Sequence, residues 1–146
     1  MDVLADTGVL LRLLTPSDPD HVFARKAVTT LESNGEALVM AGQNLAEFWA
    51  VCTRPASARG GLGLSVSEVS SRLAVLEGMF GVIHETRQSY HFWRHLVTSL
   101  AVQGKQVHDA RLVAILQSHG IGRILTFNAG DFARYSGLTV LDPRTY

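Results

Sequence analysis

Three features are scarce in this sequence: cysteine, an excess of one charge, and long apolar runs. The single Cys52 cannot form an intramolecular disulfide, and its apolar neighbours, residues 48–51, favour a small buried side chain rather than a reactive thiol. Thirteen Lys and Arg residues balance thirteen Asp and Glu residues. This balance excludes the overall positive field with which many nucleic-acid-binding proteins attract phosphate, so any nucleic-acid site must be local.

The N-terminal residues carry no recognisable targeting signal. Residues 1–6 lack a basic stretch followed by an apolar core, and no apolar run approaches the length that spans a bilayer. We therefore expect a cytoplasmic protein with no membrane segment. The length of 146 residues suits one hydrophobic core, and 47% hydrophobic with 18% charged residues is typical of a globular chain. We expect residues 1–146 to form a single domain.

Short apolar runs alternate with segments of helical periodicity along the chain. The runs predict five strands, at residues 3–5, 37–40, 82–83, 124–127 and 138–141. The periodic segments predict helices at residues 9–14, 21–31, 44–52, 65–79, 90–102 and 110–117. Asn44 is the expected N-cap of the third helix, and Ser65 with Glu68 has the spacing of a capping box. Because parallel strands need crossover helices, the alternation predicts an α/β fold with a mainly parallel sheet covered on both faces.

Four acids are expected near the carboxyl ends of these strands, where ligands gather in an open parallel sheet. Asp6 directly follows the first strand, and Glu47 lies early in the helix after the second. Asp109 begins a predicted helix, and Asp131 follows the fourth strand. Acids that are distant in the chain can therefore converge at one edge of the sheet.

Each of these acids also has a structural interpretation. Asp6, Asp109 and Asp131 lie near predicted helix starts, where a carboxylate can cap free amide groups. Glu47 is harder to explain in this way, because its helix is apolar enough to be buried almost all round, and a buried acid needs a partner or a metal.

Clustered carboxylates would take up protons unless a cation compensates their charges. Oxygen ligands favour Mg²⁺ or Mn²⁺ over zinc, and such ions activate water and stabilise the charge that develops on a phosphodiester. Hydrolysis of a phosphodiester is therefore the leading prediction for the chemistry.

Four segments resemble, in order, the acidic motifs of PIN-domain ribonucleases, and in particular those of VapC-type toxins. They are Val3-Leu4-Ala5-Asp6-Thr7-Gly8-Val9-Leu10, Asn44-Leu45-Ala46-Glu47-Phe48, Val107-His108-Asp109-Ala110 and Thr126-Phe127-Asn128-Ala129-Gly130-Asp131-Phe132. Each motif is short, but the ordered set spans nearly the whole chain and is fairly specific.

The resemblance implies catalytic and metal-binding roles for four acids: Asp6, Glu47, Asp109 and Asp131. It implies supporting polar roles for Thr126 and Asn128. Some members of the family carry an acid at the position of Asn128, so Asp131 is either the fourth acid of the site or a helix cap.

The resemblance also implies an architecture, an activity and partners. The fold would be a three-layer sandwich around a parallel sheet, and the activity a Mg²⁺- or Mn²⁺-dependent endoribonuclease acting on RNA. Such a chain would be the toxin of a type II toxin–antitoxin pair. It would form a homodimer and be inhibited by a small antitoxin protein whose tail enters the active site.

Other functions fit the sequence less well. A receiver-like phosphoacceptor domain would need a Lys late in the sheet, and none follows Thr126. A haloacid-dehalogenase-like phosphatase would need Asp-x-Asp after the first strand, where this chain has Asp6-Thr7-Gly8. The serious alternative is a catalytically inactive PIN-like module that binds RNA or protein, because loss of a metal site leaves a fold unchanged. The presence of all four candidate acids favours the nuclease.

Two further patterns have structural interpretations. His91 and His95 stand four residues apart, a spacing that suits one metal, but no Glu or Cys partner adjoins them, so we favour a partly exposed helix face. The glycines from Gly60 to Gly63 follow a predicted helix rather than a strand, which indicates a loop and not a phosphate-binding turn.

Overall fold

The five predicted strands form one parallel sheet. The computed structural model describes all residues from Met1 to Tyr146, and its strand order is β3-β2-β1-β4-β5. The strands are β1 (Asp2–Ala5), β2 (Ala37–Ala41), β3 (Gly81–Ile83), β4 (Arg123–Leu125) and β5 (Thr139–Leu141). All four neighbouring pairs are parallel, so the carboxyl ends of the strands meet at one edge. The predicted α/β class with a parallel sheet is confirmed.

Seven α-helices connect and cover the strands. They are α1 (Thr7–Leu13), α2 (His21–Ser33), α3 (Gly42–Thr53), α4 (Val66–Met79), α5 (Arg87–Ser99), α6 (Val107–Ser118) and α7 (Ala129–Phe132). Short 3₁₀ turns lie at Gly104–Gln106 and Pro143–Thr145. None of these helices has both the length and the apolar composition needed to cross a membrane.

Two hydrophobic clusters lie on opposite faces of the sheet, because successive side chains of a strand point to opposite sides. In the central strand β1, Val3 and Ala5 pack in one cluster, with side chains of helices α1 to α4. Leu4 packs in the other, with side chains of α6 and with Trp93 of α5. The arrangement of helices, sheet and helices is the expected three-layer sandwich.

Helix α3 differs from the sequence prediction in its start and in its burial. It begins at Gly42, so Asn44 lies inside its first turn, where the side-chain oxygen accepts the backbone N–H of Ala41 at 2.9 Å. The predicted N-cap position was therefore wrong, although this side chain still satisfies a backbone group at the helix start. Ala46 and Ala50 are exposed, so the expectation of a helix buried almost all round was also wrong.

Helices α5 and α6 both begin three residues before their predicted starts. Thr86 caps α5 by accepting the backbone N–H of Ser89 at 3.2 Å, and the helix ends before Ala101, whose φ is +50°. Helix α6 begins at Val107, which places Asp109 in its first turn. Helix α7 was not predicted, because its four residues are too few to show a helical period.

Several local predictions are confirmed. Ser65 and Glu68 form the expected capping box at the start of α4. Cys52 is fully buried in the core. Residues 60–63 belong to no helix or strand, and His91 and His95 are exposed on α5.

Candidate active site

Asp6 lies where β1 ends and α1 begins, and the fold holds both of its carboxylate oxygens. Its Oδ1 accepts the backbone N–H of Thr7 at 2.8 Å, which caps α1. Its Oδ2 accepts the hydroxyl of Thr126, the first residue after β4, at 2.8 Å. The backbone N–H of Asp6 donates to Leu125 at 3.0 Å, so the neighbouring strands fix the position of this acid.

Glu47 on α3 is joined to the same edge through Thr7. The Thr7 hydroxyl donates to Glu47 Oε2 at 2.8 Å and accepts from the Asn44 amide at 3.2 Å. The amide of Gln43 donates to Glu47 Oε1 at 2.9 Å and to the His108 carbonyl oxygen at 2.8 Å. Gln43 therefore links the helix of Glu47 to the turn that carries Asp109.

Asp109 and Asp131 lie in the first turns of α6 and α7, but neither caps its helix. No hydrogen bond is donated to either side chain by another residue, and no side-chain cap is present at either helix start. Asp109 is partly buried and Asp131 is exposed. Helix capping, the structural alternative for these two acids, therefore does not account for their side chains.

The pKa values of two acids report their proximity to the others. Burial raises the pKa of Asp6 above its usual value, the hydrogen bonds from Thr126 and Thr7 lower it, and the charges of Glu47 and Asp131 raise it further. Burial, followed by the charges of Asp131, Asp6 and Glu47, raises the pKa of Asp109 to about 6. The structure therefore brings all four candidate acids into one electrostatic cluster.

The donor chemistry of this cluster fits a hard divalent cation, since its ligands would be carboxylate oxygens and the repulsion between them calls for a positive charge. In this conformation no three Asp, Glu, His or Cys side chains are arranged to hold one metal ion. Asp109 and Asp131 have no protein partner that would keep them from turning toward a cation.

The two predicted supporting residues differ in their surroundings. Thr126 is fully buried, donates to Asp6 and accepts the backbone N–H of Asn128 at 3.1 Å. Asn128 is exposed, and its side chain makes no hydrogen bond. Thr126 therefore positions an acid, whereas Asn128 lies at the rim.

One cation lies close to the cluster without belonging to it. Arg111 on α6 forms an ion pair with Glu85, and this partner chiefly raises the pKa of Arg111, with a smaller contribution from Glu47. Both Arg111 and Glu85 are about half exposed. Arg111 therefore does not neutralise the negative charge of the four acids, because its own charge is already balanced by Glu85.

Comparisons with known proteins bear on the fold. Neither a protein-family model nor a curated protein sequence matches the chain. A chain of VapBC-1 from nontypeable Haemophilus influenzae has a TM-score of 0.73 and 17% identity, with 99% of both chains covered. A chain of VapBC2 from Rickettsia felis, solved with a promoter DNA fragment, has a TM-score of 0.72 and 14% identity, covering 97% of this chain and 98% of that one.

A third solved structure is VapC20 from Mycobacterium tuberculosis, described as a toxin that cleaves the sarcin–ricin loop. It has a TM-score of 0.58 and 20% identity, covering 84% of this chain and 86% of that one. At these sequence identities the similarity shows a shared backbone fold. The chain therefore has the PIN-domain fold of VapC-type toxins.

Proposed function

We propose that this protein is a metal-dependent endoribonuclease and the toxin of a type II toxin–antitoxin pair. The observation that carries the proposal is the convergence of Asp6, Glu47, Asp109 and Asp131 at the carboxyl edge of the sheet. The fold is shared with a toxin that cleaves an RNA loop. Mg²⁺ or Mn²⁺ held by these acids would supply an activated water and charge stabilisation at the phosphodiester.

The chain's own residues prepare the site for this chemistry. The Thr7 amide and the Thr126 hydroxyl orient Asp6, and Thr7 with Gln43 orients Glu47. Preorganised carboxylates of this kind need little rearrangement when a charged substrate arrives. Asp109, whose pKa is about 6, is largely ionised at neutral pH. No hydrogen bond from the protein has to break before its carboxylate can bind a cation.

The test is incubation of the purified protein with RNA in Mg²⁺ or Mn²⁺, with and without EDTA. We expect cleavage that EDTA stops and that Asp109→Asn abolishes. Asp2→Asn is the matched control, because Asp2 is exposed at the opposite end of β1 and should leave the rate unchanged. RNA that is bound but left intact in both metals would instead favour the inactive PIN-like module.

We infer that the partner is a small antitoxin that places a basic side chain against the acids. An Arg would pair with carboxylates that have no protein partner, as Asp109 and Asp131 do. Co-expression of the neighbouring small open reading frame should relieve growth arrest caused by the toxin. Arrest that persists would argue against the toxin function.

We also propose a homodimer that uses helices of the N-terminal half. Val22 and Phe23 of α2 expose 60% and 36% of their surfaces, and adjacent exposed apolar side chains are typical of an interface. Light scattering should give twice the 15.9 kDa mass of one chain. A monomer at micromolar concentration would contradict this.

A further inference from the structure

A second feature lies beside the acids: a cleft between helices α5 and α6. Its volume is about 260 Å³, and it is lined by Glu85, Thr86, Ser89, Tyr90, Trp93 and Arg111. This is below the ~300–1,000 Å³ of pockets for drug-sized ligands, so it suits one small planar group. A neighbouring cleft shares Glu85 and Arg111 and reaches Gln43, which bonds to Glu47.

The aromatic wall of the cleft is fixed to the active-site turn. The indole N–H of Trp93 donates to the carbonyl oxygen of Val107 at 3.0 Å, two residues before Asp109. Tyr90 is 54% exposed, and its ring lies 6.2 Å from that of Trp93. The exposed ring of Tyr90, next to the fixed ring of Trp93, offers a flat face on which a nucleobase can stack.

Helix α5 also supplies the local positive charge that the neutral chain lacks overall. Arg87 and Arg94 flank Tyr90 at spacings of three and four residues, so the three side chains share one face of the helix. The helix contains no Asp or Glu. Phosphates on either side of a stacked base can therefore contact Arg87 and Arg94.

The polar wall of the cleft has a pattern that selects among bases. Glu85 presents a half-exposed carboxylate with one oxygen paired to Arg111, and its other oxygen remains free. Among the four RNA bases, only guanine offers two adjacent N–H donors on its Watson–Crick edge, with a carbonyl acceptor beside them. The carboxylate matches the donors, and the guanidinium of Arg111 matches the carbonyl.

We propose that this cleft binds one unpaired guanine of the RNA, next to the phosphodiester that is cleaved. The inference rests on the proposed nuclease function and adds the base that the enzyme reads. Gln43 lines the neighbouring cleft and its side-chain amide donates to Glu47, so this residue joins the base-binding cleft to the acids.

The test separates binding from cleavage. In EDTA, fluorescence anisotropy measures the affinity of labelled single-stranded oligoadenylates that carry one guanine, one inosine or no substitution. We expect guanine to bind about tenfold or more tightly than adenine, with inosine between them because it lacks the amino donor. Equal affinity for all three RNAs would overturn the proposal.

Three variants assign the preference to the cleft. Glu85→Gln should remove most of the guanine preference at unchanged stability, because its ion pair is exposed. Tyr90→Ala should weaken binding of every RNA several-fold, and Tyr90→Phe should restore it because the ring is retained. Glu77→Gln, an exposed acid on α4, is the matched control. An undiminished guanine preference in Glu85→Gln would overturn the assignment.

Cleavage in Mg²⁺ then separates the two proposals. RNA cleavage that does not depend on guanine would overturn the proposal of a guanine-binding cleft. The proposed nuclease function would then remain. Guanine-selective binding without any cleavage would support the cleft and overturn the nuclease. Variants of Glu85 and Tyr90 that lose the antitoxin but keep RNA affinity would overturn the inference, because the cleft would then be a protein-binding surface.

Discussion

The acid site has an inner half and an outer half, which differ in how far the folded chain already satisfies their carboxylates. Asp6 and Glu47, the inner pair, each accept two hydrogen bonds from the protein. Asp109 and Asp131, the outer pair, accept none and lie on the first turns of α6 and α7. The inner pair belongs to the framework of the sheet edge, and the outer pair is free to respond to a ligand.

This difference shows where the fold leaves charge uncompensated. The Thr126 hydroxyl and the Thr7 backbone N–H both donate to Asp6, and these two bonds offset part of its burial cost. The Thr7 hydroxyl donates to Glu47. No comparable donor reaches Asp109, and burial with three neighbouring acids raises its pKa to about 6. A divalent cation would therefore act most strongly on the outer pair.

The largest expected effect tests whether both halves serve one reaction. Asp6→Asn and Asp109→Asn should each lower the rate of RNA cleavage by about 100-fold or more, as expected when preorganised charge is removed. Because either change disables the same unit, the double variant should be no slower than the slower single variant. Single-turnover rates at saturating Mg²⁺ measure this.

Two results would break that expectation. Losses that multiply in the double variant would mean that the halves act independently. If Asp6→Asn cleaved RNA at the parental rate, the role of Asp6 would be limited to capping α1.

The next effect concerns stability, which should fall when the inner half loses a hydrogen bond and should not fall when the outer half loses a charge. Thr126→Val leaves Asp6 Oδ2 buried without its donor, so the free energy of unfolding should fall by about 1–3 kcal/mol. Asp109→Asn removes repulsion and breaks no hydrogen bond, so it should leave stability unchanged or higher in EDTA. Urea denaturation measures both, with Thr139→Val, an exposed threonine on β5, as the control. Equal destabilisation by Thr126→Val and Asp109→Asn would remove the distinction between the halves.

A smaller effect should appear in the pH dependence. The pKa of Asp109 is raised from 3.8 to about 6 by folding, so the folded state binds more protons than the unfolded state between these values. Its contribution to stability is present below about pH 3.8 and is lost as the pH rises through about 6. In EDTA, the melting temperature of the parent should therefore fall relative to that of Asp109→Asn over this window. Parallel curves for the two proteins would contradict the raised pKa of Asp109.

The sequence predicted the acids because each follows a strand or opens a helix, and these positions depend on local patterns. It did not predict the bonds that hold Asp6 and Glu47. The hydrogen bond from Thr7 joins residues forty positions apart, and the one from Thr126 crosses 120 positions. Only the assembled sheet, with β1 beside β2 and β4, brings these partners together.

The cleft was missed for a related physical reason. Trp93 and Arg111 lie on different helices, and their shared space depends on how α5 packs against α6. The predicted starts of both helices fell three residues late, because helical periodicity marks the apolar core of a helix better than its polar first turn. The polar residues that line a site tend to lie in such first turns.

The smallest effect separates the two outer acids from each other. Asp131 is exposed, whereas Asp109 is partly buried, yet the charge of Asp131 is the first among the neighbouring acids that raise the pKa of Asp109. Asp131→Asn should therefore weaken metal binding by about tenfold and lose activity mainly at limiting Mg²⁺, with recovery at high Mg²⁺. The same change should move the acidic limb of the cleavage profile to lower pH, since Asp109 would lose a repelling neighbour. Titration of the cleavage rate with Mg²⁺ at several pH values measures both shifts, and Asn128→Ala, at the rim of the site, is expected to change the rate less than Asp131→Asn does. A loss at saturating Mg²⁺ as large as that of Asp109→Asn would make Asp131 an equal ligand, and an unchanged Mg²⁺ requirement would exclude it from the site.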